Sequence, residues 1–329
     1  MKPATIYDVA RRAGVSHQTV SRFLSGFEGI RPETRSRVES ALADLDYRPN
    51  VTARLLRTQR SNRIGVIADR VDQTGPARII AGALERARDR GYLLDVVLTH
   101  GLPVEEIQAA INVLNDHRVA GILATAQTDA IVEHLQGHVA GVPFIVDARF
   151  SAFPDGPSMN EYSGAIAADH LLDLGHTRVG YVSGPRAWLA ASGRMAGFVA
   201  RIAERGGEVA WTREGDWSAD SGAAAWQGLG AEERTVSAIA MGNDSMAIGL
   251  ISAAAEDGVR VPDDLSVIGN DDIHEARYLL PALTTVAVDF EAEGRMLVDQ
   301  LLSEVEPGAP ALEMAAWPRV VARRSTRAR

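Results

Sequence analysis

The stretch Ala4–Gly26, ATIYDVARRAGVSHQTVSRFLSG, decides the amino-terminal fold. Thr5 followed three residues later by Asp8 has the spacing of a capping box, which satisfies the free N–H groups at a helix start. Ile6, Val9, Ala10 and Ala13 then recur at helical spacing on one face. Gly14 suits the left-handed turn that ends a helix. Ser16 caps a second helix whose apolar face is Val20, Phe23 and Leu24. A third helix begins at Pro32, a residue suited to the first helical turn, and buries Val38, Ala41, Leu42 and Leu45. Two short helices joined by Gly14-Val15-Ser16 and closed by a third make a helix-turn-helix. Burial leaves over His17, Gln18, Thr19, Ser21 and Arg22 at the start of the second helix. These are hydrogen-bonding side chains at the end that enters a major groove. The plainer reading of them is the solvated surface of a small bundle.

The helical periodicity and turn chemistry, with the charge split agreeing, favour the DNA reading. The 329 residues carry a net charge of −9, which taken whole argues against a nucleic-acid partner. The average hides a split: residues 1–63 are net +6 and the remainder net −15. A basic reading head on an acidic body fits a DNA-binding module. Lys2 is the only lysine, so nearly all the positive charge is arginine. The chain has no cysteine, which excludes a disulfide scaffold, a thiolate metal site and a cysteine nucleophile. No apolar run reaches the ~18 residues of a membrane span, and the first residues lack the apolar stretch of a secretory signal. The expected location is cytoplasmic.

From Arg63 the pattern changes to alternation. Strands are expected at 64–68, 93–98, 121–124, 144–146, 179–182, 239–241 and 265–268. Helices are expected on the Ile79, Ile80, Ala83, Leu84, Ala87 face and at 103–116, 161–174, 193–205 and 244–257. Alternating strands and helices mean parallel α/β sheets, and this length suggests two lobes. Ligands of such sheets bind beyond the carboxyl ends of strands. Asp69, Asp72, Gln73, Thr125 and Asp147 sit there in the first lobe; Arg194, Trp217, Asn243, Asp244, Asn270, Asp271 and Asp272 do so in the second. Carboxylates and amides bond adjacent hydroxyls, a guanidinium bonds hydroxyl or ring oxygen, and an indole face packs on C–H groups, which together suit a sugar. Each residue alone could equally be a cap or turn; for Asp244, Asp263 and Asp264 that reading is preferred. Asp147 and Arg194 could instead form an ion pair between lobes. The motifs GxSxG, HExxH, GxxxxGK[ST] and GxGxxG are absent, so no enzyme activity, cofactor or metal is expected. His176 reads as the support of a helix-to-strand turn.

The amino-terminal stretch together with RPETRSRVESALADLDYRPNVTARLLRT (31–58) resembles the LacI/GalR family of transcription repressors. DLGHTRVGYVSGP (173–185), TREGDWSADSG (212–222), GNDSMAIGL (242–250), VPDDLSVIGNDD (261–272) and LTTVAVDF (283–290) follow the family's regulatory domain in order. The resemblance implies that His17, Gln18 and Arg22 read base edges. It implies that Thr5, Tyr7, Ser16, Thr19, Ser21, Thr34, Tyr47 and Asn50 hold phosphates. It makes 50–57 a hinge helix, too short to be stable alone, whose Leu56 wedges into the minor groove. The implied effector contacts are Gln73, Gly75, Pro76, Ile79, Thr125, Asp147, Arg194, Trp217, Asn243, Asp271 and Phe290. The chain departs from the family pattern at Asn270 (usually tyrosine), Val288 (glutamine) and Thr125 (asparagine). His17 stands where the member it most resembles has tyrosine, which leaves the operator sequence open.

The expected architecture is thus a three-helix helix-turn-helix domain at 1–49, a hinge helix and linker at 50–62, and a two-lobed periplasmic-binding-protein-like effector and dimerisation domain with parallel sheets at 63–329. The chain is expected to cross between lobes near 158, 288 and 317. The expected function is a repressor of a carbohydrate-utilisation operon. It would bind a pseudo-palindromic double-stranded operator as a homodimer and be released by a sugar, a galactoside or related glycoside, with no membrane contact. An exported-type sugar receptor and a co-repressed regulator of the same family are the alternatives. Dimer contacts are expected near Ile79–Arg90 and Ile107–Ile111. The tail VVARRSTRAR (320–329) lacks an oligomerising heptad, and its arginines read as disordered surface.

Overall fold

The computed structural model describes residues 4–24, 27, 29–45, 47, 61–68, 70–99, 104–125, 128–138, 141–147, 157–305 and 316–329. Its contacts divide into two units, Met1–Arg60 and Ser61–Arg329.

The first unit is three helices, α1 (Ile6–Ala13), α2 (His17–Leu24) and α3 (Pro32–Asp44). The capping box forms: the Asp8 amide donates to Thr5 Oγ1 at 3.4 Å and the Thr5 amide donates to Asp8 Oδ2 at 2.9 Å. Gly14 closes α1 at φ +64°, a left-handed conformation that glycine adopts without a Cβ clash. The Thr19 amide donates to Ser16 Oγ at 3.2 Å, which starts α2. Val9, Ala10, Ala13, Val20, Val38 and Ala41 form the core, with Ile6, Phe23, Leu24, Leu42, Leu45 and Tyr47 around it.

The second unit begins with a four-stranded parallel lobe. Its elements are β1 (Arg63–Ala68), α4 (Thr74–Asp89), β2 (Leu93–Leu98), α5 (Val104–Asp116), β3 (Ile122–Thr125), α6 (Asp129–His138) and β4 (Phe144–Val146). The strand order is β2-β1-β3-β4. Then follow α7 (Met159–Asp173), β5 (Arg178–Ser183), α8 (Leu189–Glu204), β6 (Glu208–Glu214), α9 (Ala219–Gln227), β7 (Ala238–Met241), α10 (Asp244–Glu256), β8 (Ser266–Asn270), β9 (Thr284–Ala287), α11 (Phe290–Val305) and β10 (Arg319–Val321). The second sheet has order β10-β9-β8-β7-β5-β6. Its strands are parallel except for β10, which runs antiparallel to β9. The sequence reading passes over α6, β6, α9, β9, α11 and β10.

Although α11 follows strands of the second lobe, it packs on α4 of the first. Arg86 Nη2 meets the buried Asp299 carboxylate at 2.7 Å, and Arg78 Nε donates to Glu291 Oε1 at 2.8 Å. The chain therefore leaves one lobe and re-enters it.

One reading is corrected. The carboxyl-terminal arginines are part of the second lobe. The Arg323 guanidinium donates to the Leu283 carbonyl at 2.8 Å and pairs with Asp272, and Ser325 is fully buried. The Arg329 amide donates to the Leu174 carbonyl at 2.9 Å. The tail is held because β10 and the residues after it fill backbone positions beside β8 and β9. Ile107 and Ile111 themselves are buried in their own lobe, so the surface of the segment expected to meet a partner is formed by other side chains, among them the exposed Ala109. Exposed apolar side chains of that lobe are Leu84 on α4, Leu93, Val96 and Leu98 on the edge strand β2, and Val113 on α5.

Candidate functional site

In the amino-terminal unit, His17, Gln18 and Arg22 are exposed on α2, while Val20 is buried. The His17 ring lies 5.2 Å from that of the exposed Tyr7, and the Arg22 guanidinium lies 5.7 Å from the centre of the Phe27 ring. Ser16 is exposed, its hydroxyl 2.9 Å from that of Thr19; Thr19, Ser21 and Thr34 are half-buried. Tyr47 packs at the rim of the core. Thr5 is more committed than expected: its hydroxyl donates to Asp8 Oδ2 at 2.6 Å, so that proton is spent within the cap. Asn50 and Leu56, with the rest of the expected hinge, lie outside the described residues.

In the second unit, one cleft gathers Gln73, Gly75, Pro76 and Ile79 from the start of α4, Asp147 after β4 and Arg194 on α8. Trp217 after β6, Asn243 after β7, Asp271 after β8 and Phe290 at the start of α11 complete the expected set. Thr125 is not there. It ends β3 paired with Ala68 and is buried in its own lobe. Asp72 is drawn away to Arg70, and Asp69 lies outside the described residues.

The centre of the cleft is a buried ion pair. Arg194 Nη1 lies 3.0 Å from Asp271 Oδ1 and donates to the Gly242 carbonyl at 2.7 Å; its Nε donates to Asn160 Oδ1 at 3.3 Å. Arg194 thus pairs with Asp271 and not with Asp147, the alternative open in the sequence. Asn270 Nδ2 donates to Asp271 Oδ1 at 2.8 Å, and Ser163 donates to Asn270. Burial raises the Asp271 carboxyl above the usual carboxylate range, against the pull of Arg194 and Asn270. These bonds leave Arg194 Nη2 without a bond among the described residues.

Trp217 and Asp271 both hold left-handed backbone, φ +76° and +112°. Such non-glycine conformations persist where surrounding bonds enforce them, and they cluster at binding sites. Asn243 Nδ2 donates to the Trp217 carbonyl at 3.0 Å, while its Oδ1 caps α10 by accepting from the Met246 amide at 2.9 Å. Asn243 is therefore the cap, and Asp244 is not. Asp244 is buried and accepts from Thr285 Oγ1 at 2.5 Å and the Ile273 amide at 2.9 Å; its carboxyl is raised well above the usual range by burial. The Trp217 ring lies against Gly184 and 5.8 Å from that of Trp188. Its buried Nε1 has no hydrogen-bond partner among the described residues.

Reading the sequence misses Thr74, Met159, Asn160, Trp188, Ala190 and Glu293 in the cleft wall, where Val288 also lies. Two carried a usable signal. Trp188 follows the carboxyl end of β5, where ligands of such sheets bind. Glu293 stands three residues after Phe290, on the same helix face.

Comparison with known proteins agrees with this arrangement. Residues 5–50 match the family "Bacterial regulatory proteins, lacI family", and residues 168–326 match the "Periplasmic binding protein-like domain". The HTH-type transcriptional repressor PurR of Edwardsiella ictaluri (strain 93-146) is 33% identical over 98% of this chain and 96% of its own length. The lactose operon repressor of Escherichia coli (strain K12) is 34% identical over 92% of this chain and 85% of its own. A crystal structure of the Lac repressor dimer bound to operator and the anti-inducer ONPF superposes with a TM-score of 0.80 at 31% identity, covering 99% of this chain and 100% of that one. A helix-turn-helix head, a two-sheet body with a polar cleft between its lobes and relatives aligned along nearly the whole chain agree: the protein belongs to the LacI/PurR family of transcriptional repressors, with an amino-terminal DNA-binding domain.

Proposed function

We propose that the protein represses a carbohydrate-utilisation operon by binding a pseudo-palindromic operator as a homodimer, and that a saccharide in the interlobe cleft, a galactoside or related glycoside, releases it. One observation carries this reading. Residues from Gln73 to Phe290, drawn from both lobes, converge on one cleft that combines carboxylates, amides, a guanidinium with an unspent nitrogen and an indole. That is the donor and acceptor mixture of a polyhydroxylated ligand with apolar C–H faces. A ligand touching both lobes favours the lobe arrangement it fits best, and it shifts the DNA-binding equilibrium only by that difference in affinity. The change reaches the head through residues 50–62.

His17, Gln18 and Arg22 are assigned to base edges; Thr5, Tyr7, Ser16, Thr19, Ser21, Thr34, Tyr47 and Asn50 to phosphates; Leu56 to the minor groove. The exposed Leu84, Leu93, Val96, Leu98 and Val113 supply apolar area for a two-fold partner. No helix among the described residues is long and apolar enough to cross a membrane. Action on an operator places the protein in the cytoplasm.

The test is a gel-shift of a fragment of the gene's own promoter, with and without a sugar panel. A band that one sugar abolishes is expected. No shift at moderate salt sinks the repressor reading, and a sugar that strengthens the band reverses the sign to co-repression. Trp217→Ala is expected to retain the shift and weaken the sugar response at least ~5-fold, since an indole face contributes on the order of 1–3 kcal/mol when buried. A normal response from Trp217→Ala would mean that the ligand binds elsewhere.

A further inference from the structure

The cleft contains an ionisable group that the fold itself does not use. Glu293 is half-buried in the wall, one turn along α11 from Phe290. Its helix neighbours have partners: Glu291 accepts from Arg78 and Arg295 donates to Glu85. Asp289, just before the helix, accepts from the Ala292 amide. The Glu293 side chain has neither a hydrogen bond nor an ion pair among the described residues. Burial without a donor pushes its carboxyl up to about 7, and Arg194 is the charge that pulls it back.

We propose, on the reading of this cleft as the effector site, that Glu293 sets its charge selectivity. It accepts a hydrogen bond from a hydroxyl or ammonium group of a neutral or amino-bearing saccharide and excludes saccharides carrying a carboxylate or phosphate.

The groups around it make the selection. Asp147 faces the cleft from the end of β4, Asp271 from the end of β8 and Arg194 from α8. Arg78 on α4 is spent on Glu291 and the Asp271 carbonyl. Arg194 is the one cation among the lining residues, and Asp271 already pairs with it. Glu293 therefore remains as an acid that no cation of the cleft lining offsets, against which an anionic ligand is repelled at low dielectric. A hydroxyl donated to a carboxylate gains a charge-assisted bond and favours the ionised form. Binding then expels a proton from Glu293. The sign follows: affinity rises with pH while the free carboxyl titrates, and it levels off above that range.

The experiment measures tryptophan fluorescence and titration calorimetry of the full-length protein at pH 6, 7 and 8. The probes are two matched series: galactose, galactosamine and galacturonic acid; glucose, glucosamine and glucuronic acid. Expected is binding of a neutral or amino sugar that tightens roughly three- to tenfold from pH 6 to pH 8, the tenfold limit being one unit of pKa shift. The matching uronic acid is expected to bind at least ~10-fold more weakly, the same one-unit equivalence applied to repulsion. Glu293→Gln should lose the pH slope and narrow the discrimination. A uronic acid that binds as well as its neutral partner, or a slope unchanged in Glu293→Gln, overturns the assignment while leaving the effector reading standing. No response to any of the six at any pH overturns both.

Discussion

Thr5 illustrates how a single side chain can be read two ways. Family resemblance assigns it to a phosphate, and its spacing from Asp8 assigns it to a cap. The structure spends its hydroxyl proton on Asp8 Oδ2 and uses its oxygen as acceptor for the Asp8 amide. Thr5→Ala should therefore weaken the head itself by about 1 kcal/mol, the usual worth of such a cap. Faster hydrogen exchange of the first α1 amides, with Thr5→Ser close to the parent, would report this. Unchanged exchange would return Thr5 to the phosphate role alone. Arg194 raises the same question in the body: the sequence shows an arginine beyond a strand but not which of several acids it selects. The choice of Asp271 follows from positions that β8 and α8 fix in space.

At the scale of elements, three helix pairs of the body are built alike. Gly82 on α4 meets the Glu291 backbone and Gly294 on α11 meets that of Ile79. Gly164 on α7 and Gly197 on α8 meet the backbones of Arg194 and Glu161, and Gly222 on α9 and Gly249 on α10 those of Met246 and Ala219. A Cβ at any of these positions would overlap the partner's backbone, so each pair depends on its glycines for close approach. Gly164→Ala forces α7 and α8 apart, directly beneath Arg194, and is expected to cost about 1–3 kcal/mol. Gly137 on α6 has nothing within 4 Å of the same position. There alanine should stabilise by about 0.5–1 kcal/mol through helix propensity alone. Urea midpoints of the two variants should move in opposite directions; movement the same way would refute the packing argument. Helical glycines are visible in the sequence, but nothing local distinguishes Gly164 from Gly137.

For the whole molecule, the carboxyl-terminal tail joins the second lobe through the buried His176 and the half-buried His170. His176 Nε2 donates to the Arg327 carbonyl at 2.9 Å, which makes Nδ1 the acceptor for the Ser237 hydroxyl at 2.8 Å. His170 Nε2 lies 3.0 Å from Thr326 Oγ1. Burial lowers both imidazoles below their ordinary value of 6.5. Below that value the unfolded chain binds more protons than the folded one, so stability is present above about pH 6.5 and falls as the solution is acidified. Scanning calorimetry between pH 7.5 and 5.5 should show a falling transition temperature. His176→Gln should begin lower and fall less steeply; an equally steep fall would remove His176 from the account. The sequence reading correctly makes His176 the support of a turn, but it leaves the tail as loose arginines because the partners of that tail lie up to about 150 residues away in the chain.

What the sequence determined by itself is whatever rests on short-range physics. Caps and helical spacing within 4–45 define the head, strand and helix alternation defines a parallel α/β body, and the division of +6 from −15 separates a DNA-seeking head from an acidic sensor. Most of the cleft was legible too, because strand ends are where such sheets bind. Tertiary structure alone decided what each polar group has left to offer a ligand. It spent Arg194 on Asp271, Asn243 on the Trp217 loop and Asp244 on Thr285, buried Thr125 in its own lobe, and brought Glu293 to the wall with no partner among the described residues. The reason is physical: a hydrogen bond or a desolvated charge depends on distances between side chains far apart in the chain, which only the crossing of α11 back to the first lobe and the packing of α7 on α8 establish.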